Sequence, residues 1–333
     1  KFPPSAVSYL KQKNIYLPTG RAKGQIKAQK EFATWKISSS IMARNIRVKA
    51  PFVSTRTLGP IPFSAKVEGQ INITNQTFAM HESSITLMQR KDGKLYNKSH
   101  PSLSFNGSWN HDNTINVNGK FKIPSTRCQS MIDIAPIGLI PTLVNFRLGG
   151  RFLTDANFRF NTANPEEFYY HLNRNKFNCT VLEVPYAYSP EHLNGPFTVT
   201  REVSKDDVPL EIPMSPLAHG YSDYESISPY VNKAFVTSED AGFWKHNGID
   251  SFAIENALRT NLVEQRVAIG GSTITMQTVK NLFLNHRRTI SRKMQELFLA
   301  WHLEKVVDKK RIIELYMNVA EFGPGIYGVT KAS

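Results

Sequence analysis

The sequence is short of several things. It has only two cysteines, Cys128 and Cys179, and they lack the close spacing of a thiolate metal site. One disulfide in an oxidising compartment or two free thiols both remain open. No run approaches the roughly 20 apolar residues of a membrane-spanning helix. The nearest, MIDIAPIGLIPTLVNF, is short and is broken by Asp133, Pro136 and Pro141. No signal peptide, fixed-length repeat or low-complexity tract is visible. The chain begins abruptly and stops in GVTKAS, so it reads as a fragment whose anchor lies outside it. The absence of a Gly-Lys-Ser/Thr element excludes a nucleotide phosphate loop. His81, His100 and His111 stand alone, without ligand spacing.

Acidic residues are also scarce. The chain holds 27 Asp and Glu against 41 Lys and Arg, a formal net charge of +14. That surplus favours anionic partners, whether nucleic acid, a phospholipid surface or a phosphorylated substrate. It is uneven: residues 221–333 carry 14 basic and 12 acidic residues, and the first 220 carry 27 and 15. The positive field therefore belongs to the amino-terminal part.

What is present is length enough for two domains, with 41% hydrophobic residues to build their cores. From about residue 30 to 200 the chain reads as strands. INVNGKFKI sets Ile115, Val117, Gly119, Phe121 and Ile123 on one parity, the period of a half-buried strand. RFLTDANFRF does so with Phe152, Ala156, Phe158 and Phe160, and FSAKVEGQINI with Phe63, Ala65, Val67, Ile71 and Ile73. KDGK and NHDN supply turns. The plain reading of this meander is a β-sandwich or half-barrel scaffold without chemistry. VPLEIPMSPLAHGYSDYESISPY then holds Pro209, Pro213, Pro216 and Pro229 without a period, and reads as a linker. Beyond it the period turns helical. Asp250 or Ser251 caps a helix bearing Phe252, Ala253, Leu258 and Leu262. Thr289 caps another, with an apolar stripe of Ile290, Met294, Leu297, Phe298 and Trp301, and Asp308 caps a third. The expected fold class is α+β in two domains: a β-rich antiparallel domain over 1–210, a linker over 211–230 and a mainly α-helical domain over 231–333.

The chemistry-bearing residues lie in the helical part. SEDAGFWKHNGID sets Glu239 and Asp240 before a helical region, near Phe243, Trp244 and His246. A carboxylate among aromatics can keep its proton to higher pH, which suits proton transfer near neutrality. A helix cap with an apolar anchor, and a structural His246, is the plainer alternative. In TISRKMQELFLAW, Arg292 and Lys293 lie four and three residues before Glu296, on one helix face. They form either a solvated ion pair worth about 0.5 kcal/mol or part of a cleft. GGSTITMQTVKN is different. Gly270 and Gly271 permit close backbone approach or positive φ. Ser272, Thr273, Thr275 and Gln277 offer donors to oxygen-rich ligands, and Lys280 and Asn281 follow. With Arg287, Arg288, Arg292 and Lys293, Lys280 makes a cluster suited to a pyrophosphate; a capped helix start with a solvated basic face is the alternative. IIELYMNVAEFGPGIYGV adds Glu314, which could simply tie a loop, then Tyr316, Asn318 and a glycine-rich turn.

In order and spacing these blocks resemble the peptidoglycan glycosyltransferases of family 51, over roughly residues 230–333. The family's E-D-x-x-F-x-x-H-x-G is matched by Glu239, Asp240, Phe243, His246 and Gly248, and its G-G-S-T-I-T-Q-Q with K-N by GGSTITMQTVKN except at Met276. R-K-x-x-E is matched by Arg292, Lys293 and Glu296, and K-x-x-I-L-E-x-Y-L-N by Lys309, Ile312, Ile313, Glu314, Tyr316 and Asn318. A fifth motif is matched by Tyr327 and Gly328. The resemblance implies a lysozyme-like helical domain, truncated here at its carboxy-terminal end. It also implies an inverting transferase that polymerises lipid II into β-1,4-linked glycan and releases undecaprenyl pyrophosphate. It assigns Glu239 as the base and Glu296 as the second catalytic carboxylate. The substrate-binding set it implies is Asp240, Ser272, Thr273, Gln277, Lys280, Asn281, Arg292, Lys293 and Glu314. No tightly bound cofactor is implied, although a divalent Mg or Mn ion at the pyrophosphate is compatible with it. Met276, where glutamine is frequent, would remove one polar contact to the donor. The implied partners are lipid II, the nascent glycan chain, a membrane surface and other cell-wall synthesis proteins, with no nucleic acid. The implied location is the periplasmic face of the bacterial inner membrane. The β-rich part is faintly similar to the periplasmic sheets of AsmA-like proteins, which implies a lipid groove; a spacer is the alternative. Two rivals stand: a glycosidase, against which the basic cluster argues, and a non-catalytic lipid-handling or scaffold protein of the envelope.

Overall fold

The structure, a computed structural model, describes residues 15–91, 94–96, 101–201 and 209–332. The KDGK turn at Asp92 and Gly93, and His100, lie outside the described residues. The chain divides into two compact units, residues 1–182 with 259–267 and residues 183–258 with 268–333.

The first unit is built on one antiparallel sheet. Its strands are β1 (Tyr16–Glu31), β2 (Thr34–Lys49), β3 (Leu58–Asn72) and β4 (Thr77–Leu87). They continue with β5 (Ser102–Trp109), β6 (Ile115–Arg127), β7 (Arg151–Asn161) and β8 (Tyr169–Phe177). Every strand pairs with its sequence neighbour, giving the order β1 through β8. Directly opposed residues in antiparallel strands project to the same face. One such row runs Gly24, Ile41, Ala65, Ile85, Leu103, Phe121, Ala156, Leu172 across all eight strands. The next row runs Gln25, Ser40, Lys66, Ser84, Ser104, Lys120, Asn157, His171. The alternation read from the sequence thus becomes one apolar and one polar face.

Gly119 keeps its apolar parity for a steric reason: a Cβ there would stand 2.1 Å from the Phe158 ring, so the glycine is the seat of that ring. The apolar face is only partly covered, and Ile26 remains 74% exposed and Ile115 40%. Cys128 and Cys179 form a disulfide across 51 residues. Closing a loop of that length contributes about 4 kcal/mol in the chain-entropy account.

The second unit contains a hairpin of β9 (Phe197–Arg201) and β10 (Leu210–Met214), so part of the proline-rich segment read as linker is a strand. The longer helices that follow are α1 (Pro229–Glu239), α2 (Ser251–Val263, whose residues from 259 on fall in the first unit), α3 (Ile274–Phe283), α4 (Ile290–Val306) and α5 (Lys309–Val319). A β-rich antiparallel region and a helical region are therefore both present, as the period change indicates. The caps fall where the side chains predict: Asp250 accepts from Phe252 and Ala253, Thr289 from Arg292, and Asp308 from Arg311. Helix α3 packs on α4 and α5. The core between them holds Ile274, Met276, Val279, Leu299, Leu303, Ile312, Leu315 and Met317.

The face assigned to α4 needs correcting. Ile290 and Met294 are 49% and 42% exposed, while Ser291, Gln295, Glu296, Leu299, Ala300, His302 and Leu303 are buried. Buried polar groups that find partners share the inward face with the apolar ones, so hydrophobicity alone points to the wrong side. Phe252 on α2 is likewise 78% exposed. No described helix is long and apolar enough to cross a membrane.

Candidate functional site

Glu239 and Asp240 end helix α1, which the sequence reading did not place, and a stretch of turns separates them from the expected helix α2 that follows. Glu239 is exposed, and its Oε2 accepts from Gln277 Nε2 on α3 at 2.9 Å. Asp240 turns inward. Its buried carboxylate accepts from the Ile274 amide at 2.9 Å, at the start of α3, and from His246 Nε2 at 2.9 Å. His246 Nδ1 accepts from the Gly248 amide at 3.1 Å, which assigns its proton to Nε2. His246 is thus a strut, with both ring nitrogens engaged. Gly248 O accepts from the Thr273 hydroxyl at 2.7 Å, and Thr273 Oγ1 caps α3 by accepting from the Met276 amide. Thr275 donates to Glu304 at 2.6 Å, and Lys309 pairs with the same carboxylate at 2.8 Å while lying 4.3 Å from the centre of the Phe243 ring. Gly271 is used for close approach: a Cβ would meet Ile254 Cα at 2.9 Å. These links join the GGSTITMQTVKN segment to the segment carrying Glu239.

The other end of GGSTITMQTVKN meets α4. Lys293 Nζ donates to Ser272 Oγ at 2.5 Å and to Glu296 Oε2 at 3.0 Å. Arg292 Nε lies 2.9 Å from Glu296 Oε1, an ion pair by distance whose angles do not make a hydrogen bond. Glu296 is 2% exposed, so it organises two cations from below instead of facing solvent. Lys280 is half-buried. Burial holds its ammonium below the ordinary lysine range, Glu296 opposes this, and Arg292 and Arg201 add to it. Asn281 is buried, and its Oδ1 has no hydrogen-bond partner among the described residues.

Sequence reasoning missed Arg201. This buried residue at the end of β9 donates to Leu284 O at 3.0 Å and Lys280 O at 3.4 Å, at the carboxy-terminal end of α3. A cation there meets the negative end of the helix dipole and fixes the backbone that carries Lys280. Its partners lie some 80 residues away, and no local pattern signals them. Tyr316 is buried; burial and the nearby charge of Glu239 raise its hydroxyl's pKa.

Two residues fall outside this arrangement. Glu314 accepts from the Tyr221 hydroxyl, the Tyr224 amide and Arg311, so it ties the 221–224 loop to α5. Met276 is fully buried in the core, so this side chain does not face a donor from the site. No group of three His, Cys, Asp or Glu able to hold a metal ion occurs among the described residues. Glu296 is already held by two cations.

A family model described as Transglycosylase matches residues 211–333. Three similar proteins carry the name biosynthetic peptidoglycan transglycosylase. The one from Nitrosomonas eutropha is 44% identical over 121 residues, 36% of this chain and 50% of its own length. The one from Laribacter hongkongensis is 46% identical over 121 residues, covering 36% and 53%. The one from Nitrosospira multiformis is 46% identical over 110 residues, covering 33% and 48%. The chain spans about half the length of these curated relatives.

Proposed function

With residues 211–333 matching the transglycosylase family model, we propose that this protein is a peptidoglycan glycosyltransferase that polymerises lipid II into β-1,4-linked glycan strands. One observation carries the reading: a single segment reaches both halves of the required chemistry. Gln277 of GGSTITMQTVKN holds Glu239, and Ser272 of the same segment holds Lys293.

Glu239 takes the proton from the acceptor's 4-hydroxyl, and that oxygen attacks the anomeric carbon of the growing chain. The bond to the lipid pyrophosphate breaks with inversion, and its electron pair leaves on the phosphate oxygen. Lys280, Arg292 and Lys293 stabilise the charge that builds there, and Glu296 keeps the last two in place. Gln277 orients the base, Ser272 sets the Lys293 ammonium, and Asn281 borders the donor side. Asp240 and Thr273 act as positioning residues, and Glu314 braces the 221–224 loop. In this reading the helical unit is lysozyme-like. The protein works at the periplasmic face of the inner membrane with lipid II and the nascent glycan as substrates, beside other cell-wall synthesis proteins. The apolar face of the sheet serves the hydrocarbon of a lipid.

The test is glycan polymerisation from lipid II by the intact protein in detergent, beside Glu239→Gln. Polymer from the parent and none from the variant is expected. A folded parent that binds lipid II and makes no polymer would replace this reading with the scaffold one.

A further inference from the structure

The polar face of the sheet carries more than solubility requires. Lys23, Lys27, Arg44, Lys66, Lys120 and Lys122 project from it in the strand registers; Glu68 pairs with Lys66 at 2.6 Å and Asp155 stands opposite Lys122, which leaves the others in excess. Arg21 stands directly opposite Arg44, a like-charged pair that an anionic partner would relieve. Where β4, β5, β6, β7 and β8 meet, this face sinks into a groove of about 560 Å³. It is lined by Asn106, Asn118, Lys120, Asn157, Arg159 and Tyr169. Two cross-strand rows build it, one running Asn106, Asn118, Arg159, Tyr169 and the other Ser104, Lys120, Asn157, His171.

The lining has a specific chemistry. An asparagine amide presents a donor and an acceptor side by side, the pattern that matches neighbouring sugar hydroxyls. Asn106 Oδ1 is already used by the Glu82 amide at 2.6 Å, whereas no side-chain bond within the described protein engages Asn118, Asn157 or Lys120. Arg159 lies 5.9 Å from the centre of the Tyr169 ring, and that ring is 47% exposed, which leaves an aromatic surface for a sugar face. Lys120 and Arg159 supply charge for carboxylates, and Glu82 at the β4 side excludes them from that end. A flat lipid surface would use the cations alone and would leave the amides and the ring without a role.

We propose that this groove binds a carboxylate-bearing glycan strand, at a site separate from the residues that carry the transfer chemistry. The inference rests on the transglycosylase reading only for the source of that glycan. The test is co-sedimentation of the intact protein with purified, protein-free peptidoglycan sacculi, comparing the parent with Lys120→Glu/Arg159→Glu and with Asn118→Ala/Asn157→Ala. All four positions line an open groove, and circular dichroism checks that each variant folds. The expected result is binding by the parent and a loss of about tenfold or more in each variant, a difference of ~1.4 kcal/mol. Polymerisation from lipid II should continue in both. Absence of binding by the parent, or binding unchanged in both variants, overturns the proposal. So does binding to phosphatidylglycerol vesicles that the charge reversal abolishes while sacculus binding persists. A parent that binds sacculi but makes no polymer damages the transferase reading and leaves this one standing.

Discussion

The sheet and the helical unit treat their polar residues in opposite ways. On the sheet, polar side chains such as Asn118 and Lys120 stand on one face, exposed, while the apolar face is only half-buried. In the helical unit Asp240, Thr273, Thr275, Asn281, Glu296 and Asn318 are buried, and among their oxygens Glu296 Oε1 and Asn281 Oδ1 are the ones without a hydrogen-bonded partner among the described residues. Burying a polar group is tolerable only when it is partnered, and partnership fixes its position. The helical unit therefore holds its residues in defined geometry, which a reaction requires. The sheet offers a broad surface, which recognition of an extended ligand requires.

The largest effect that would sharpen this contrast is the loss of the disulfide. Cys128→Ser with Cys179→Ser should destabilise the first unit by about 4 kcal/mol. Denaturant melts followed separately in the two units should show the loss in the sheet alone. Next is Asp240→Asn, which keeps the shape but turns an amide toward two donors. It should cost about 2 kcal/mol, because one buried donor loses its acceptor. The same melts should show this loss in the helical unit, together with a fall in polymerisation. Equal losses in both units for either change would mean that the chain unfolds as one body and that the contrast has no energetic meaning.

The two units were not equally legible in the sequence. The sheet has a single layer with one apolar face, so its period of two survives unmixed from Ile115 to Ile123 and from Phe63 to Ile71. The helix caps at Asp250, Thr289 and Asp308 were readable because a cap is a local interaction. So was the pairing of Arg292 and Lys293 with Glu296, which needs only the turn of one helix. The inward face of α4 was not, because site and core share it. Nor was the role of Arg201, whose partners come from α3. Glu314 is legible both ways, as a loop tie from its own residue type and as substrate-binding from its motif, and its bonds to Tyr221 and Tyr224 support the tie.

A smaller effect tests the electrostatics that the site adds. In the proposed mechanism Lys280 must stay protonated to hold a pyrophosphate, and burial with Arg292 and Arg201 lowers its pKa against Glu296 and Glu321. Polymerisation should therefore fail on the alkaline side below the ordinary lysine range. Arg201→Gln removes one repelling cation, so the alkaline limb should move to higher pH even as the overall rate falls with the lost clamp. A pH–rate profile separates the two, since loss of the clamp alone would lower the rate without moving the limb.

The smallest effect probes the sheet at neighbouring positions of one strand. Val117 lies in the apolar row with Gly107 and Phe160, and Asn118 lies in the polar row with Asn106 and Arg159. Val117→Thr places a hydroxyl among apolar side chains and should cost roughly 1 kcal/mol. Asn118→Thr leaves a polar group in solvent and should change stability by about 0.5 kcal/mol or less. The midpoint of the first unit's denaturant transition reads both. A cost at Val117 alone means that the half-covered apolar face still behaves as a core, and that the polar face is free to be spent on binding. Equal costs would mean that neither face is a core, and that the sheet owes its order to its hydrogen bonds and disulfide.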